Sequence, residues 1–280
     1  MHILLCNDDG LDSPGLAALH RACRSLGQVS VVAPATEQST TGHSLTLRDP
    51  VRVREHLHPA FGRTFAVEGT PADCVRLAVA ELVEPPVDLV ASGINRGANL
   101  GVDVYYSGTV AGAREAAILG LPAVAVSQFV ARGQGVDWDR AAWLTERVLR
   151  EWLSACGAWN GGRPGAGIRL WNVNLPVARP DKPELSVCVV PHSTDPMPNQ
   201  YCRSAEDQPP SYTYCGPYME RVARAGTDVA TVFAGDIAVT PLSLGSTHEA
   251  ALEVPLGLTL HEPGSGAFND RSSDPADRRF

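Results

Sequence analysis

The sequence predicts an α/β fold: a Rossmann-like, three-layer αβα arrangement with a mostly parallel sheet. Its first half alternates short apolar runs with segments of helical pattern, which is typical of parallel strands joined by right-handed crossovers. Gly- and Asn-containing loops follow several of the apolar runs, as at the carboxyl ends of the strands in an open α/β sheet. The predicted strands are 2–6, 29–33, 87–92, 123–127 and 168–173.

Helix start signals lie between these strands. Ser13 can cap a helix with Pro14 in its first turn, and Thr70 precedes a second helix that extends to about Val83. The further predicted helices are 109–119 and 137–156, and a hairpin is expected between 48–54 and 64–67.

The second half of the chain is less regular. Residues 191–228 are rich in Pro, Ser, Tyr and Asn and are too long for a bare loop in a compact domain. We therefore expect a β-rich arm there that packs on a partner subunit. Two strands are predicted over 229–242. We expect one domain over 1–260 and a disordered, polar tail at 261–280.

Composition excludes several classes of protein. The formal net charge is −8, and Lys182 is the only lysine, so the chain lacks the basic footprint of a nucleic-acid-binding protein. No apolar run reaches the roughly 18 residues that a membrane span requires. The N-terminus lacks the basic region of a signal peptide. An intracellular location is therefore expected.

Seven cysteines are present, without a C-x-x-C pair, so neither a zinc knuckle nor a redox motif is indicated. We expect mainly buried, reduced thiols. A disulfide between Cys202 and Cys215 is the less favoured alternative.

Two adjacent carboxylates, Asp8 and Asp9, follow the first predicted strand after a single residue, Asn7. In an open α/β sheet, ligands lie beyond the carboxyl ends of the strands. Holding two like charges there is costly unless a positive partner lies between them. A hard divalent cation with oxygen ligands is the simplest such partner. The pair therefore predicts half of a metal site.

Three further loops, 33–44, 92–101 and 106–109, carry short side chains with oxygen atoms. Loops after successive parallel strands open on the same edge of a sheet, so these loops can converge on the carboxylates. Ser107-Gly108-Thr109 stands at a predicted helix start, where free N–H groups and hydroxyls can bind an anion. A metal beside a phosphate is the arrangement for phosphoryl transfer to water.

Each signal also has an ordinary structural explanation. Asn and Gly after a strand commonly form turns, which is the favoured role for a lone Asn95 loop. Ser107-Gly108-Thr109 alone is a plain helix cap, and His43 is by default an ordinary loop histidine. The joint occurrence of the loops is what favours a catalytic site.

The longest motifs are Asn7-Asp8-Asp9-Gly10 with Ser13-Pro14-Gly15, Ala33-Pro34 with Gln38-Ser39, Gly42-His43-Ser44-Leu45-Thr46, Gly69-Thr70-Pro71-Ala72-Asp73-Cys74-Val75, Ser92-Gly93-Ile94-Asn95-Arg96-Gly97-Ala98-Asn99-Leu100-Gly101 and Tyr106-Ser107-Gly108-Thr109-Val110-Ala111. In this order they resemble the loops of the survival protein E family, the SurE-type 5′-nucleotidases. The resemblance covers roughly residues 1–245. Long motifs in a fixed order argue against chance agreement.

This resemblance implies a cytoplasmic, metal-dependent phosphatase acting on nucleoside 5′-monophosphates, with one divalent ion, Mg²⁺ or Mn²⁺, in each site. It implies Asp8, Asp9, Ser39 and Asn95 as metal ligands. Some members also cleave short polyphosphate. Members form homodimers or homotetramers partly through an exchanged C-terminal arm, which fits 191–228. The arm only loosely follows the family's aromatic–glycine pattern, so oligomeric state and substrate preference stay open.

We hypothesise that the metal binds a phosphoryl oxygen and lowers the pKa of a bound water. Ser107-Gly108-Thr109, together with Asn99, would hold the remaining phosphate oxygens. One of the two aspartates, or the metal-bound hydroxide, would supply the nucleophile. His43 is a weaker candidate for protonating the leaving alkoxide.

Two alternatives remain at this stage. A haloacid-dehalogenase-type phosphatase also ends its first strand in Asp-x-Asp-Gly, but Asn7 stands where its nucleophilic Asp is required, and Lys182 is poorly placed as its lysine. A non-catalytic nucleotide-binding module is the other alternative. The first strand–helix turn lacks Gly-x-Gly-x-x-Gly and there is no Walker A lysine, which disfavours dinucleotide binding. Neither the nucleobase nor the choice between Mg²⁺ and Mn²⁺ follows from the sequence.

Overall fold

The computed structural model describes residues 1–131, 133–155, 170–205, 207 and 209–245. The strands in this part of the chain are β1 (His2–Cys6), β2 (Gln28–Pro34), β3 (Val53–His58), β4 (Gly62–Val67), β5 (Leu89–Arg96), β6 (Ala123–Gln128), β7 (Leu170–Leu175), β8 (Val187–Val189), β9 (Tyr201–Arg203), β10 (Tyr212–Tyr214) and β11 (Ile237–Leu242). The α-helices are α1 (Pro14–Cys23), α2 (Pro71–Leu77), α3 (Gly108–Ile118), α4 (Trp138–Ala155) and α5 (Asp228–Phe233).

The main sheet has the predicted, mostly parallel arrangement. Within the described residues its order is β3-β4-β2-β1-β5-β6-β7-β11-β8. Strands β4 to β7 in this order are parallel neighbours, whereas β3 pairs antiparallel with β4 and β11 pairs antiparallel with β7. The chain adds β2 on one side of β1 and β5 on the other. The carboxyl end of β1 is therefore a topological switch point, where ligands bind in such sheets.

Alternate residues of β1 show why the fold has three layers. Ile3 and Leu5 point into an apolar cluster shared with α1 and α4, whereas Leu4 and Cys6 point into one shared with α2 and α3. Successive side chains of a strand face opposite sides of a sheet, so a strand that is apolar throughout needs helices on both faces. Each fully buried leucine side chain contributes about 1.5–3 kcal/mol to stability. This confirms the predicted αβα arrangement.

Apart from the two strands predicted over 229–242, the predicted strands and helices are present with shifts at their ends. Strand β5 extends through Arg96, four residues beyond its predicted end, because a bulge keeps it paired with β6. Strand β3 begins at Val53, later than the predicted alternation over 48–54. Helix α2 passes into a π-helical turn over Ala78–Leu82, so the helical segment ends before Val83 as expected.

The prediction of two strands over 229–242 is wrong for its first half, which forms helix α5. The β-branched residues of 229–232 imitate a strand pattern. In the structure, however, Val229 and Val232 share one buried side at helical spacing. The Asp228 carboxylate accepts the N–H of Val229 at 2.8 Å in the first helical turn. Tertiary burial and this hydrogen bond outweigh β propensity, which depends strongly on context.

The segment predicted as an arm contains a two-stranded antiparallel ladder of β9 and β10. A disulfide joins Cys202 to Cys215 across it, so the less favoured alternative for this pair is the one observed. The tyrosines of the ladder are exposed. The compact unit that contains the main sheet spans Met1–Leu244. The predicted tail, 261–280, lies outside the described residues. None of the described helices combines the length and apolarity that a membrane crossing requires.

Candidate active site

Asp8 and Asp9 stand at the switch point, in a turn that Asn7 holds in shape. The side-chain amide of Asn7 is buried and donates to Gly10 O at 3.0 Å and to Ser13 Oγ at 2.7 Å. Gly10 has φ +95°, a conformation that favours glycine. The turn therefore presents two successive carboxylates at the end of β1, and Asp8 is only 6% exposed.

The carboxylate of Asp8 lies against the first turn of α3. Thr109 Oγ1 donates to Asp8 Oδ1 at 2.6 Å. A Cβ at Gly108 would lie 2.8 Å from Asp8 Cβ and 2.9 Å from Asp8 Oδ2, so a side chain at this position does not fit without movement. Ser107 caps the same helix by accepting the N–H of Val110 at 3.0 Å. The predicted anion-binding segment is thus in direct contact with the predicted metal ligand.

Asp9 meets the end of β5. The N–H of Arg96 donates to Asp9 Oδ2 at 3.3 Å. The neighbouring Asn95 donates its side-chain N–H to Gly97 O at 2.9 Å, and its Oδ1 accepts no hydrogen bond from the described residues. That oxygen is available as a ligand.

A bulge in β5 sets the position of Asn95. The pairing with β6 shifts register between Ser92 and Asn95. Gly93 within the bulge has φ +136°, and a Cβ there would lie 2.2 Å from Val126 O. Bulges beside active sites commonly re-aim side chains. Here the bulge brings Asn95 and Arg96 to the edge where Asp9 stands.

The loop after β2 closes over the same edge. The N–H of Gln38 donates to Asp8 O at 2.7 Å, and that of Gly42 donates to Tyr106 O at 3.1 Å. Ser39, next to Gln38, is exposed, and its hydroxyl donates to Glu37 at 2.5 Å. The loop therefore runs from the backbone of Asp8 to the residue before Ser107.

His43 lies further along this loop and bonds elsewhere. Its Nε2 is 2.7 Å from Oε2 of Glu115, a buried carboxylate that also pairs with Arg76 at 2.7 Å. No hydrogen bond joins His43 to Asp8 or Asp9 in the described part of the chain. The structure thus ties this histidine to α3 and not to the paired carboxylates.

Asn99, predicted to bind phosphate, belongs to a buried polar network. Its backbone N–H donates to Asn174 Oδ1 at 2.8 Å, and its Nδ2 donates to Ser127 Oγ at 2.7 Å. Its carbonyl accepts from Nδ2 of Asn172 at 2.8 Å and of Asn174 at 3.1 Å. Nδ2 carries two hydrogens, so one remains for a ligand.

The far end of the 95–101 loop is held by residues that the sequence analysis missed. Asp228 accepts the Gly101 N–H at 2.7 Å and the Ser193 N–H at 2.8 Å. The Asp103 carboxylate pairs with Arg221 at 2.7 Å. Asp228 and Arg221 lie more than 100 residues from the loop in sequence, so local patterns do not show these contacts.

Burial makes the two carboxylates costly to ionise. Desolvation raises the pKa of Asp8 to about 6; the charge of Asp9 adds to this rise, and the hydrogen bond from Thr109 opposes it. The pKa of Asp9 is also raised, first by desolvation and further by Glu37, against the Arg96 N–H and guanidinium. Within the described residues neither carboxylate forms an ion pair.

The side chains present fit a hard divalent cation. The predicted ligands are two carboxylates, the Asn95 carbonyl and the Ser39 hydroxyl, all of them oxygen donors of the kind that such a cation prefers. The described residues contain no group of three or more His, Cys, Asp or Glu side chains placed to hold a metal. A cation bound by Asp8 and Asp9 would therefore depend on neutral oxygen ligands for the rest of its coordination.

Comparisons with known proteins identify the family of this chain. The family model described as survival protein SurE matches residues 3–195. The 5′-nucleotidase SurE 1 of Thermus thermophilus is 41% identical over 260 residues, which are 92% of this chain and 98% of that protein. The 5′-nucleotidase SurE of Paramagnetospirillum magneticum is 40% identical over 254 residues, 89% of this chain and 92% of that protein.

A solved structure shows the same architecture. The SurE protein from Aquifex aeolicus superposes with a TM-score of 0.74 at 36% sequence identity, and the match covers 90% of this chain and 97% of that one. The segments that form the site, from Asp8 to Thr109, all lie inside the matched range of the family model. With the sequence and the fold in agreement, this chain belongs to the SurE family.

Proposed function

We propose that this protein is a metal-dependent phosphatase that hydrolyses nucleoside 5′-monophosphates to nucleoside and phosphate, with short polyphosphate as a further substrate. The observation that carries the proposal is the contact of Asp8, at the switch point of the sheet, with the first turn of α3. Paired carboxylates and an anion-binding helix start are thereby in contact. The names of the curated relatives support the choice of nucleotides as substrate class.

Asp8, Asp9, Ser39 and Asn95 are the proposed ligands of one divalent cation, Mg²⁺ or Mn²⁺. When bound, such a cation supplies Lewis-acid stabilisation of charge on a phosphoryl group. The raised pKa values of the two aspartates are consistent with this role, because a cation favours the ionised form of each.

The start of α3 is the proposed phosphate site. Ser107 Oγ accepts the Val110 N–H and therefore keeps its own proton to donate. The N–H of Gly108 belongs to the first helical turn, where backbone donors have no partner within the helix. The Thr109 hydroxyl already donates to Asp8, so its main role in this proposal is to orient that carboxylate. The second Nδ2 hydrogen of Asn99 is the last of the proposed hydrogen-bond donors to the phosphate.

One of the two aspartates accepts the proton of the attacking water in this proposal. Asp9 is the more exposed of the pair and so has better access to solvent. His43 is the weaker candidate for protonating the leaving alkoxide, since its Nε2 is engaged with Glu115 and only Nδ1 remains.

The structure also bears on the haloacid-dehalogenase alternative. Asn7 occupies the position of that class's nucleophile, and its amide holds the turn through Gly10 and Ser13. An amide used in this way has no nucleophilic role. The metal-dependent route through Asp8 and Asp9 is therefore the one we propose.

Replacement of Asp9 tests the proposal. Asp9→Ala is expected to reduce phosphate release from nucleoside 5′-monophosphates to background and to abolish Mn²⁺ binding measured by calorimetry, without lowering the melting temperature. Asp139→Ala is the matched control, since its side chain is 94% exposed and forms a surface ion pair with Arg21. A fully active Asp9→Ala variant would disprove the metal site.

A further inference from the structure

A cavity adjoins the proposed catalytic carboxylates. A cavity of about 350 Å³ lies beside Asp9, between the start of α1, the loop after β2 and the start of α4. Its walls include Asp9, Asp12, Thr36, Arg96 and Trp138. Ligand pockets typically measure roughly 300–1,000 Å³, so the cavity is large enough for a small organic group.

The cavity lies on the side of the sheet opposite the proposed phosphate site. Its helical walls belong to α1 and α4, whereas the phosphate site is the start of α3, and these helices cover opposite faces. Asp9 borders the cavity, and its neighbour Asp8 touches α3. A ligand with a phosphate at α3 therefore reaches the cavity by crossing the paired carboxylates.

The aromatic wall is held firmly. Trp138 is half-buried and packs against the apolar cluster of α1 and α4. Its backbone carbonyl accepts a hydrogen bond from Arg21 at 3.2 Å. Gly15 of α1 fits closely between this ring and Ile94, since a Cβ there would lie 3.2 Å from Trp138 Cη2 and 1.9 Å from Ile94 O. One edge of the indole is thus packed against α1, and the half-buried ring offers a surface against which a planar group can stack.

The charges of the cavity select a neutral occupant. Two carboxylates, Asp9 and Asp12, and one guanidinium, Arg96, line the cavity, and Asp12 Oδ1 also lies 3.4 Å from His58 Nε2. The excess of carboxylates over guanidinium groups in the wall would repel a second phosphate. Hydroxyl and amino groups, in contrast, can donate to Asp12, whose side chain is 93% exposed. A sugar and a nucleobase carry such groups and have no charge of their own.

We propose that this cavity binds the nucleoside part of the substrate, with the base against Trp138 and the sugar towards Asp9 and Asp12. The inference rests on the proposed function and assigns to it a substrate-binding site. Stacking on an aromatic ring is tolerant of base identity, because every base has a π face. Purine and pyrimidine nucleotides are therefore both substrates, and selectivity depends on the presence of a base.

Substrates with and without a base test the proposal. AMP and ribose 5-phosphate share the phosphorylated sugar and differ in the base. Loss of a base–aromatic stack costs about 1–3 kcal/mol, or roughly 5–150-fold. Trp138→Ala should therefore lower the ratio of kcat/KM for AMP to that for ribose 5-phosphate at least about fivefold, mainly through the KM for AMP. Trp143→Ala is the control, because this ring lies on α4, is 54% exposed and is outside the cavity wall.

A second variant blocks the cavity and leaves the packing around Trp138 unchanged. Thr36 is exposed at the rim of the cavity, so Thr36→Trp occludes the space without removing a core contact. Thr36→Trp should also lower the ratio of kcat/KM for AMP to that for ribose 5-phosphate, with an unchanged melting temperature. A ratio equal to that of the wild type in both variants would overturn the proposal.

Binding of adenosine, measured by calorimetry, separates failure of this inference from failure of the proposed function. If the wild type hydrolyses no phosphomonoester, the proposed function fails, and the cavity assignment stands only if adenosine binds the wild type and not Thr36→Trp. If hydrolysis occurs but adenosine binds both proteins equally, the function stands and the cavity assignment fails.

Discussion

Gly108 offers a sharp test of the contact between Asp8 and α3. Replacing it with alanine adds one methyl group, which would lie 2.8 Å from Asp8 Cβ and 2.9 Å from Asp8 Oδ2. Carbon atoms at contact normally stand about 3.5–4.0 Å apart. Asp8 lies two residues beyond the end of β1, and its Cβ is bonded to the backbone, so a rotamer change cannot relieve this contact. Asp8 and the helix start must therefore move apart by roughly 0.7–1.2 Å.

The expected effect is large on activity and small on stability. A displacement of about 1 Å at a reacting centre can cost on the order of 100-fold in rate, so kcat/KM for AMP should fall by about 10–100-fold. Overpacking costs about 1–3 kcal/mol. The better helix propensity of alanine offsets up to about 1 kcal/mol of this. The variant should therefore fold, with a free energy of unfolding at most about 2–3 kcal/mol below that of the wild type.

Steady-state phosphate release and urea unfolding measure the two quantities. Gly135→Ala is the matched control, because a Cβ there meets no atom of the described residues within 4 Å, and it should match the wild type in both assays. Wild-type kcat/KM in Gly108→Ala would refute the argument that the catalytic geometry depends on this contact.

Three further predictions concern single interactions. Thr109→Val removes the hydroxyl that donates to Asp8 at 2.6 Å. It should lower kcat/KM about tenfold, as expected for a lost hydrogen bond to a charged group. Thr109→Ser should restore kcat/KM, and a valine variant with wild-type activity would contradict this role. Arg221→Met leaves the buried Asp103 carboxylate without its ion-pair partner. The free energy of unfolding, measured in urea, should fall by about 3–5 kcal/mol. An unchanged free energy of unfolding would show that the ion pair does not stabilise the fold. Cys202→Ser opens the disulfide of the arm and should make that segment sensitive to limited proteolysis while phosphate release is retained; equal protease resistance would contradict this expectation.

The parts of the site that follow from short patterns were predictable. The apolar run of β1, the turn through Gly10 and the helix cap Ser13 are neighbours in sequence, and they place Asp8 and Asp9 by local rules. Loops that follow successive parallel strands lie at the same edge of the sheet, so their convergence on the carboxylates was also predictable. The contact of Asp8 with α3 was foreseeable as a meeting of loops, although its distances were not.

Other parts depend on partners distant in sequence. Asp228 reads as a loop residue before a predicted strand, yet it begins α5 and holds the backbone of Gly101. Asn172 and Asn174 lie on β7, where their amides meet the carbonyl of Asn99. Such interactions depend on strand order and helix packing, which residue patterns determine only indirectly. For the same reason the engagement of His43 with Glu115 was not foreseen.

The central claim, that the two carboxylates serve a metal-dependent nucleotidase, is tested most directly by phosphate release from nucleoside 5′- and 3′-monophosphates. The reactions contain Mg²⁺, Mn²⁺ or EDTA. We expect release from the 5′-monophosphates with a divalent ion and none with EDTA. Equal release in EDTA, or no release from any nucleotide that still binds, would contradict the account.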